Sequence, residues 1–231
     1  MFRYLLILFL FLGFGKSLLA DEYKYPRDPN KFIEQFQKEY PNKIHRLHAL
    51  DSALFEIIHY TFYYLSHEFI KVSTDNMKLL IEETNQKQML GKYYYYLASY
   101  YESFQELDSC MIMMIKANNE FKQTNNYTFM THSLLALGTF YKFYDDFNRI
   151  TRPYFHEGYQ ASLKSEDNFA KAAGAWSMME YYIGINANPD SIYNYLNLTN
   201  MYLQRIPETS YALKNWGIFI KNRILSSWKK I

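Results

Sequence analysis

The chain has 231 residues, of which 49% are hydrophobic and 19% aromatic, with 24 Tyr and 18 Phe against 8 Gly and 6 Pro. That composition excludes intrinsic disorder, collagen-like repeats and a turn-rich β-sandwich, and a lone Cys excludes a disulfide scaffold or thiolate zinc finger. The formal charge of +2 comes from residues 1–20, which hold Arg3 and Lys16 and no acid; beyond them 23 basic and 23 acidic residues balance, leaving no electrostatic footprint for nucleic acid.

Residues 1–20 read as a cleaved secretory signal. Arg3 supplies a positive start, and Tyr4 to Phe14 form an uncharged apolar run that Lys16 and Ser17 end. A membrane span needs roughly 20 apolar residues, so the run is short for an anchor. Ala20 suits the position before cleavage, with Gly15 or Ser17 as alternatives. The expected location is outside the cytoplasm, periplasmic or secreted. Residues 21–30, polar with two prolines, read as an extended N-terminus.

From Lys31 onward apolar residues recur at three and four, with no alternation of period two. Phe32, Ile33, Phe36 and Tyr40 predict a short helix ending before Pro41. Ile44, Leu47, Leu50, Leu54, Ile57 and Ile58 predict a longer one. Breaks then fall about every twenty residues: Lys71–Asp75, Thr84–Gln86, Glu106–Asp108, Thr124–Asn126, Tyr144–Asp146, Ser165–Asn168, Asn186–Pro189 and Arg205–Pro207. Thr74 or Asp75 can cap one helix, and Asn188 with Pro189 can start another. The result is about ten helices, an all-α domain over 31–231.

Three segments share one pattern: Tyr94-x-x-Leu97-Ala98-x-x-Tyr101, Leu134-x-x-Leu137-Gly138-x-x-Tyr141 and Ala175-x-x-Met178-Met179-x-x-Tyr182. Each precedes a second helix with small residues, among them Cys110, Ala117, Gly158 and Ala161. Units of about 40 residues follow, at 50–86, 87–126, 127–166 and 167–206, with 207–231 as a capping helix. The pattern resembles the tetratricopeptide repeat, in which a small residue lets paired helices approach while Leu and Tyr fill the gap to the next pair. The resemblance implies tandem helical hairpins in a right-handed solenoid. The usual repeat is about 34 residues, and the longer period here also fits a HEAT-like array. Stretches such as YYYYLASYYESFQELDSCMIMMIKAN and NPDSIYNYLNLTNMYL further resemble the exported sensor domains of Bacteroidota-type regulators.

Catalytic chemistry finds little purchase. No GxSxG, P-loop or GxGxxG is present, so neither an enzyme nor a cofactor is expected. His45 and His48, three apart on one helix face, lack a third ligand and read as a surface pair. His59 with His67, and His156 beside Glu157, are no better placed. Cys110, among Met111, Ile112, Met113 and Met114, reads as a buried and inert thiol. Tyr93–Tyr96, Tyr100 and Tyr101 surround one helix and read as packing between neighbours. The sequons at Asn126 and Asn197 read as chance occurrences, with Asn197 placed mid-helix, and the Asp-Ser steps at Asp51 and Asp190, which resemble short O-glycosylation signals, also read as helix starts.

A solenoid of this kind binds along its concave face, lined by the first helix of each pair. The resemblance assigns to that face Phe55, His59 and Phe62, then Tyr95, Ser99 and Glu102, then Leu135, Thr139 and Lys142, then Trp176, Glu180 and Ile183. Tyr95 and Trp176 are the expected aromatic anchors, and no metal or catalytic residue is among the twelve. The expected partner is a protein or peptide; the alternative is a carbohydrate or small molecule held by an exported binding component. Residues 210–231, with five basic residues, no acid and the apolar face Trp216, Phe219, Ile220, Ile224 and Trp228, are the one segment suited to membrane contact.

Overall fold

The structure, a computed structural model, describes residues 26, 28–60, 67–141, 147–185 and 187–206, with the backbone alone for 59, 60, 147 and 148. The described residues hold nine α-helices and no strand, in accord with the all-α reading. They fall into two compact units that divide between Thr84 and Asn85. The signal-like segment 1–20 and the basic segment 210–231 lie outside the described residues.

The first unit holds α1 (Pro29–Glu39), α2 (Lys43–Tyr60) and α3 (His67–Thr84). Asp28 caps α1, its carboxylate accepting from the backbone of Asn30 at 2.9 Å and Lys31 at 3.1 Å. The helix thus begins within the segment expected to be extended. Asn42 starts α2 in the same way, accepting from the backbone of Ile44 and His45. The Phe32 ring lies 4.7 Å from both Phe36 and Phe69, which joins α1 to α3. Leu47, Leu50, Leu54 and Ile57 complete the core from α2.

The expected break at Lys71–Asp75 is absent, because α3 runs straight through it. Thr74 is buried and its hydroxyl donates back to the Ile70 carbonyl at 2.8 Å, so it bonds within the helix instead of capping one. Lys71 and Asp75 form an exposed ion pair one turn apart.

The second unit holds three helix pairs: α4 (Leu90–Ser103) with α5 (Leu107–Thr124), α6 (Tyr127–Tyr141) with α7 (Arg152–Lys164), and α8 (Asn168–Gly184) with α9 (Pro189–Leu203). Each helix packs on the next in chain order, and α6 also meets α8. Glycine and small residues permit the close approach within pairs. A Cβ on Gly138 would strike the Phe155 ring, and one on Gly91 would lie 2.6 Å from the Phe121 ring. Ala98, aligned with Gly138, is buried, and so is Met179.

Contacts within the unit repeat. Tyr141 stacks on Tyr154 (5.2 Å between centroids, 9° between planes), and in the next pair Tyr182 stacks on Tyr195 (5.5 Å, 21°). Between pairs, the Lys92 amine lies 4.7 Å above Phe129, and one repeat later His132 lies 5.6 Å from Phe169. Helix ends repeat as well. Asn85 and Asn125, one repeat apart, both take the left-handed conformation just after α3 and α5. Asn188 caps α9, accepting from the Asp190 backbone at 3.0 Å, with Pro189 in the first turn as expected.

Candidate functional site

The three first helices of the second unit are the candidate binding layer, and they are far more enclosed than the repeat pattern implies. Residues 172–179 of α8 are all buried, as are residues 95–99 of α4. Neighbouring pairs supply much of this cover, since the Phe129 ring sits edge-on to Tyr95 at 5.6 Å.

Tyr95 and Trp176 are each only 6% exposed, and Ser99 and Leu135 are buried too. The expectation that the two aromatics project freely into a groove therefore does not hold; both rings are packing residues. Ser99 donates to the Tyr95 carbonyl and Thr139 to the Leu135 carbonyl at 2.8 Å, so both hydroxyls turn inward on their own helices. Glu102, Thr139 and Glu180 are half-buried, and Ile183 is exposed. Phe55 is half-buried in the first unit. Phe62, Lys142 and the His59 side chain lie outside the described residues.

The reachable members thus share a position: Glu102, Thr139, Glu180 and Ile183 occupy the final turns of α4, α6 and α8. Helix C-termini carry partial negative charge, which two carboxylates reinforce. Glu102 is half-buried as a residue. Burial pushes its carboxyl up to about 7. Beside it, burial and the Glu102 charge push the Cys110 thiol well above its ordinary range, although a backbone hydrogen bond at Glu102 opposes them. Cys110 is fully enclosed, as its apolar neighbours suggest, and a protonated buried thiol is a poor nucleophile.

Burial holds His132 down at about 4 against the pull of Asp167, so its ring is neutral where it meets Phe169. His156 is lowered by burial and then by Arg152. His45 and His48 are exposed on α2, and among the described residues no cluster of three ligating side chains could hold a metal. Asn126 uses its side-chain oxygen to accept from the Phe129 backbone at the start of α6, and Asn197 is exposed within α9.

In the second unit, the described large exposed apolar residues include four on second helices: Ile112 (52% exposed) and Ile115 on α5, Leu163 on α7 and Tyr193 on α9. The repeated tyrosine stacks were missed in the sequence, although a signal was present: Tyr recurs thirteen residues apart in both pairs. No described helix is long and apolar enough to cross a membrane. In comparisons with known proteins, no family model, curated protein or solved structure matches the chain.

Proposed function

We propose that the chain is an exported, tetratricopeptide-like helical-repeat protein that binds a protein or peptide partner and carries no catalytic centre, with a sensory role in a signalling system as one setting for it. The observation that carries the repeat reading is the recurrence of specific contacts. The tyrosine stack inside one pair returns in the next, and a nitrogen-bearing side chain set against a phenyl ring between pairs returns one repeat later. Recurring contacts of both kinds are what a one-dimensional stack of hairpins requires.

Burial moves the proposed binding face away from the middle of the first helices and toward their final turns. Glu180, at a C-terminal turn that already favours cations, selects a partner segment bearing Lys or Arg, and Glu102 adds its charge only as pH rises through about 7. Ile183 supplies an apolar contact at the margin.

The test is capture of partners from the extracytoplasmic fraction with the full chain, followed by titration of the recovered segment. Glu102→Gln with Glu180→Gln should weaken binding at least tenfold at low salt and pH 8, where the Glu102 carboxyl is also ionised, and leave helicity unchanged. A partner lacking basic residues, or binding indifferent to both changes, overturns the face. Export is read separately: intact mass of the secreted product should show loss of residues up to a point between Lys16 and Asp21.

A further inference from the structure

We propose that the two interhelical tyrosine stacks, Tyr141 with Tyr154 and Tyr182 with Tyr195, are sites of oxidative cross-linking, each able to become a dityrosine bond that staples the two helices of its pair. This chemistry belongs to the scaffold and is independent of any partner.

Four observations place the reaction at these pairs. The rings face one another, with centroids 5.2 and 5.5 Å apart and planes 9° and 21° from parallel. Other tyrosine pairs are turned away: Tyr93 with Tyr94, Tyr100 with Tyr101 and Tyr181 with Tyr182 are inclined by 52°, 67° and 65°. Within each stack the two phenols also act on one another electrostatically: Tyr141 makes Tyr154 harder to ionise, and Tyr182 does the same to Tyr195. All four tyrosines are half-buried, reachable by a small oxidant yet held by two packed helices.

The co-reactant is a one-electron oxidant of the kind a haem peroxidase makes from hydrogen peroxide. Each phenol gives one electron to the oxidant and its hydroxyl proton to water. The two phenoxyl radicals then join through ring carbons next to the oxygens, and the hydrogens displaced from those carbons move to the oxygens, restoring two phenols. Two electrons and two protons leave in all, and the product is lighter by two hydrogen atoms. Radical coupling between residues already stacked is effectively unimolecular, so it outruns coupling between tyrosines that must find each other.

A second feature extends the reach of the Tyr182–Tyr195 stack. Tyr159 stands edge-on to Tyr195 at 5.4 Å, Tyr181 lies 5.4 Å from Tyr182, and His156 lies 6.1 Å from Tyr181. A radical formed on Tyr159 or Tyr181 has a stack tyrosine as its ring neighbour, with centroids 5.4 Å apart in each case.

The experiment exposes the dilute full-length protein to photo-oxidised ruthenium tris-bipyridyl with persulfate, and reads blue dityrosine fluorescence, intact mass and cross-linked peptides. The two stacks should each exceed any other intramolecular tyrosine link at least tenfold. Tyr154→Phe should erase the first link and spare the second, and Tyr195→Phe the converse; phenylalanine keeps the ring and so the packing. Links spread over exposed tyrosines such as Tyr40 and Tyr193, links mainly between molecules, or methionine oxidation with neither stack joined would each overturn the proposal.

Discussion

Gly138 and Phe155 meet across the α6–α7 interface with no room for a side-chain carbon between them. Phe155 is itself fully buried and has nowhere to turn. A methyl at Gly138 would gain about 1 kcal/mol of helix propensity, but overpacking costs about 1–3 kcal/mol and the larger Leu has no compensating propensity gain over Ala. Gly138→Leu should therefore unfold at lower urea, by about 2 kcal/mol or more, and Gly138→Ala should lose less. Equal midpoints for Gly138→Leu and the parent would show that the two helices are not in this close contact.

Tyr95→Ala and Trp176→Ala should act on stability before they act on binding. Both rings are enclosed, and removing a buried aromatic costs about 3–5 kcal/mol. Thermal melting of the two variants checks this. A variant that melts with the parent while losing its partner would restore the open-groove arrangement expected from the repeat pattern.

Glu102 and His132 should shape the pH dependence of stability in opposite senses. The Glu102 carboxyl, raised from 4.5 to about 7, contributes most below pH 4.5, and that contribution is lost as pH rises through 7. His132, lowered from 6.5 to about 4, contributes above pH 6.5, and that contribution is lost as pH falls through 4. Over pH 4.5–6.5 the two slopes oppose each other. Denaturant midpoints of Glu102→Gln should match the parent near pH 4.5 and exceed it at pH 8. A variant below the parent at pH 8 would mean that the carboxylate is stabilised there.

Gln105 takes a left-handed conformation (φ 61°) in the turn between α4 and α5, where Asn85 and Asn125 occupy comparable turns. A long side chain costs about 1 kcal/mol there that Asn largely avoids. Gln105→Asn should raise stability by about 0.5–1 kcal/mol, measured by urea unfolding. No gain would mean that the Gln side chain makes compensating contacts.

The exposed ion pair between Lys122 on α5 and Glu157 on α7, at 2.6 Å, should matter little. Pairs this open contribute about 0–1 kcal/mol and are screened by salt. Lys122→Ala should cost less than about 1 kcal/mol in dilute buffer and less still in about 1 M salt. A larger, salt-resistant loss would indicate that the Lys122 stem packs between the second helices.

Helices α1, α2 and α9 were legible from their apolar spacing, and for α9 the cap at Asn188 with Pro189 agreed; the start of α1 at Asp28 and Pro29 was missed, because a polar stretch with two prolines reads as extended chain until the apolar run begins. The false break in α3 arose where Ser73, Thr74 and Asp75 cluster. Their polarity reads as a turn, yet a threonine hydroxyl can bond back one turn and a lysine can neutralise the acid, and neither option is visible from composition. The small position at Gly138 was legible from its spacing to Leu137 and Tyr141. The burial of Tyr95 and Trp176 was not, because a repeat phase gives the direction of a side chain and says nothing of what neighbouring helices lay over it. The stacks were also hidden, since residues thirteen apart meet only when the chain doubles back.

Ser165 lies at the joint between the last two helix pairs. Its hydroxyl pairs with Thr128 at 2.7 Å, at the base of α6, and accepts from the Asp167 backbone at 3.1 Å; Asp167 in turn caps α8 by accepting from Phe169. One small side chain thus ties the end of α7, the start of α8 and the root of α6. Hydrogen exchange should find this joint slower than the chain on either side of it. Opening of α8 and α9 would then begin at their far ends and travel inward, so that the chain frays like a rope whipped at one point and not like a zip drawn from its middle.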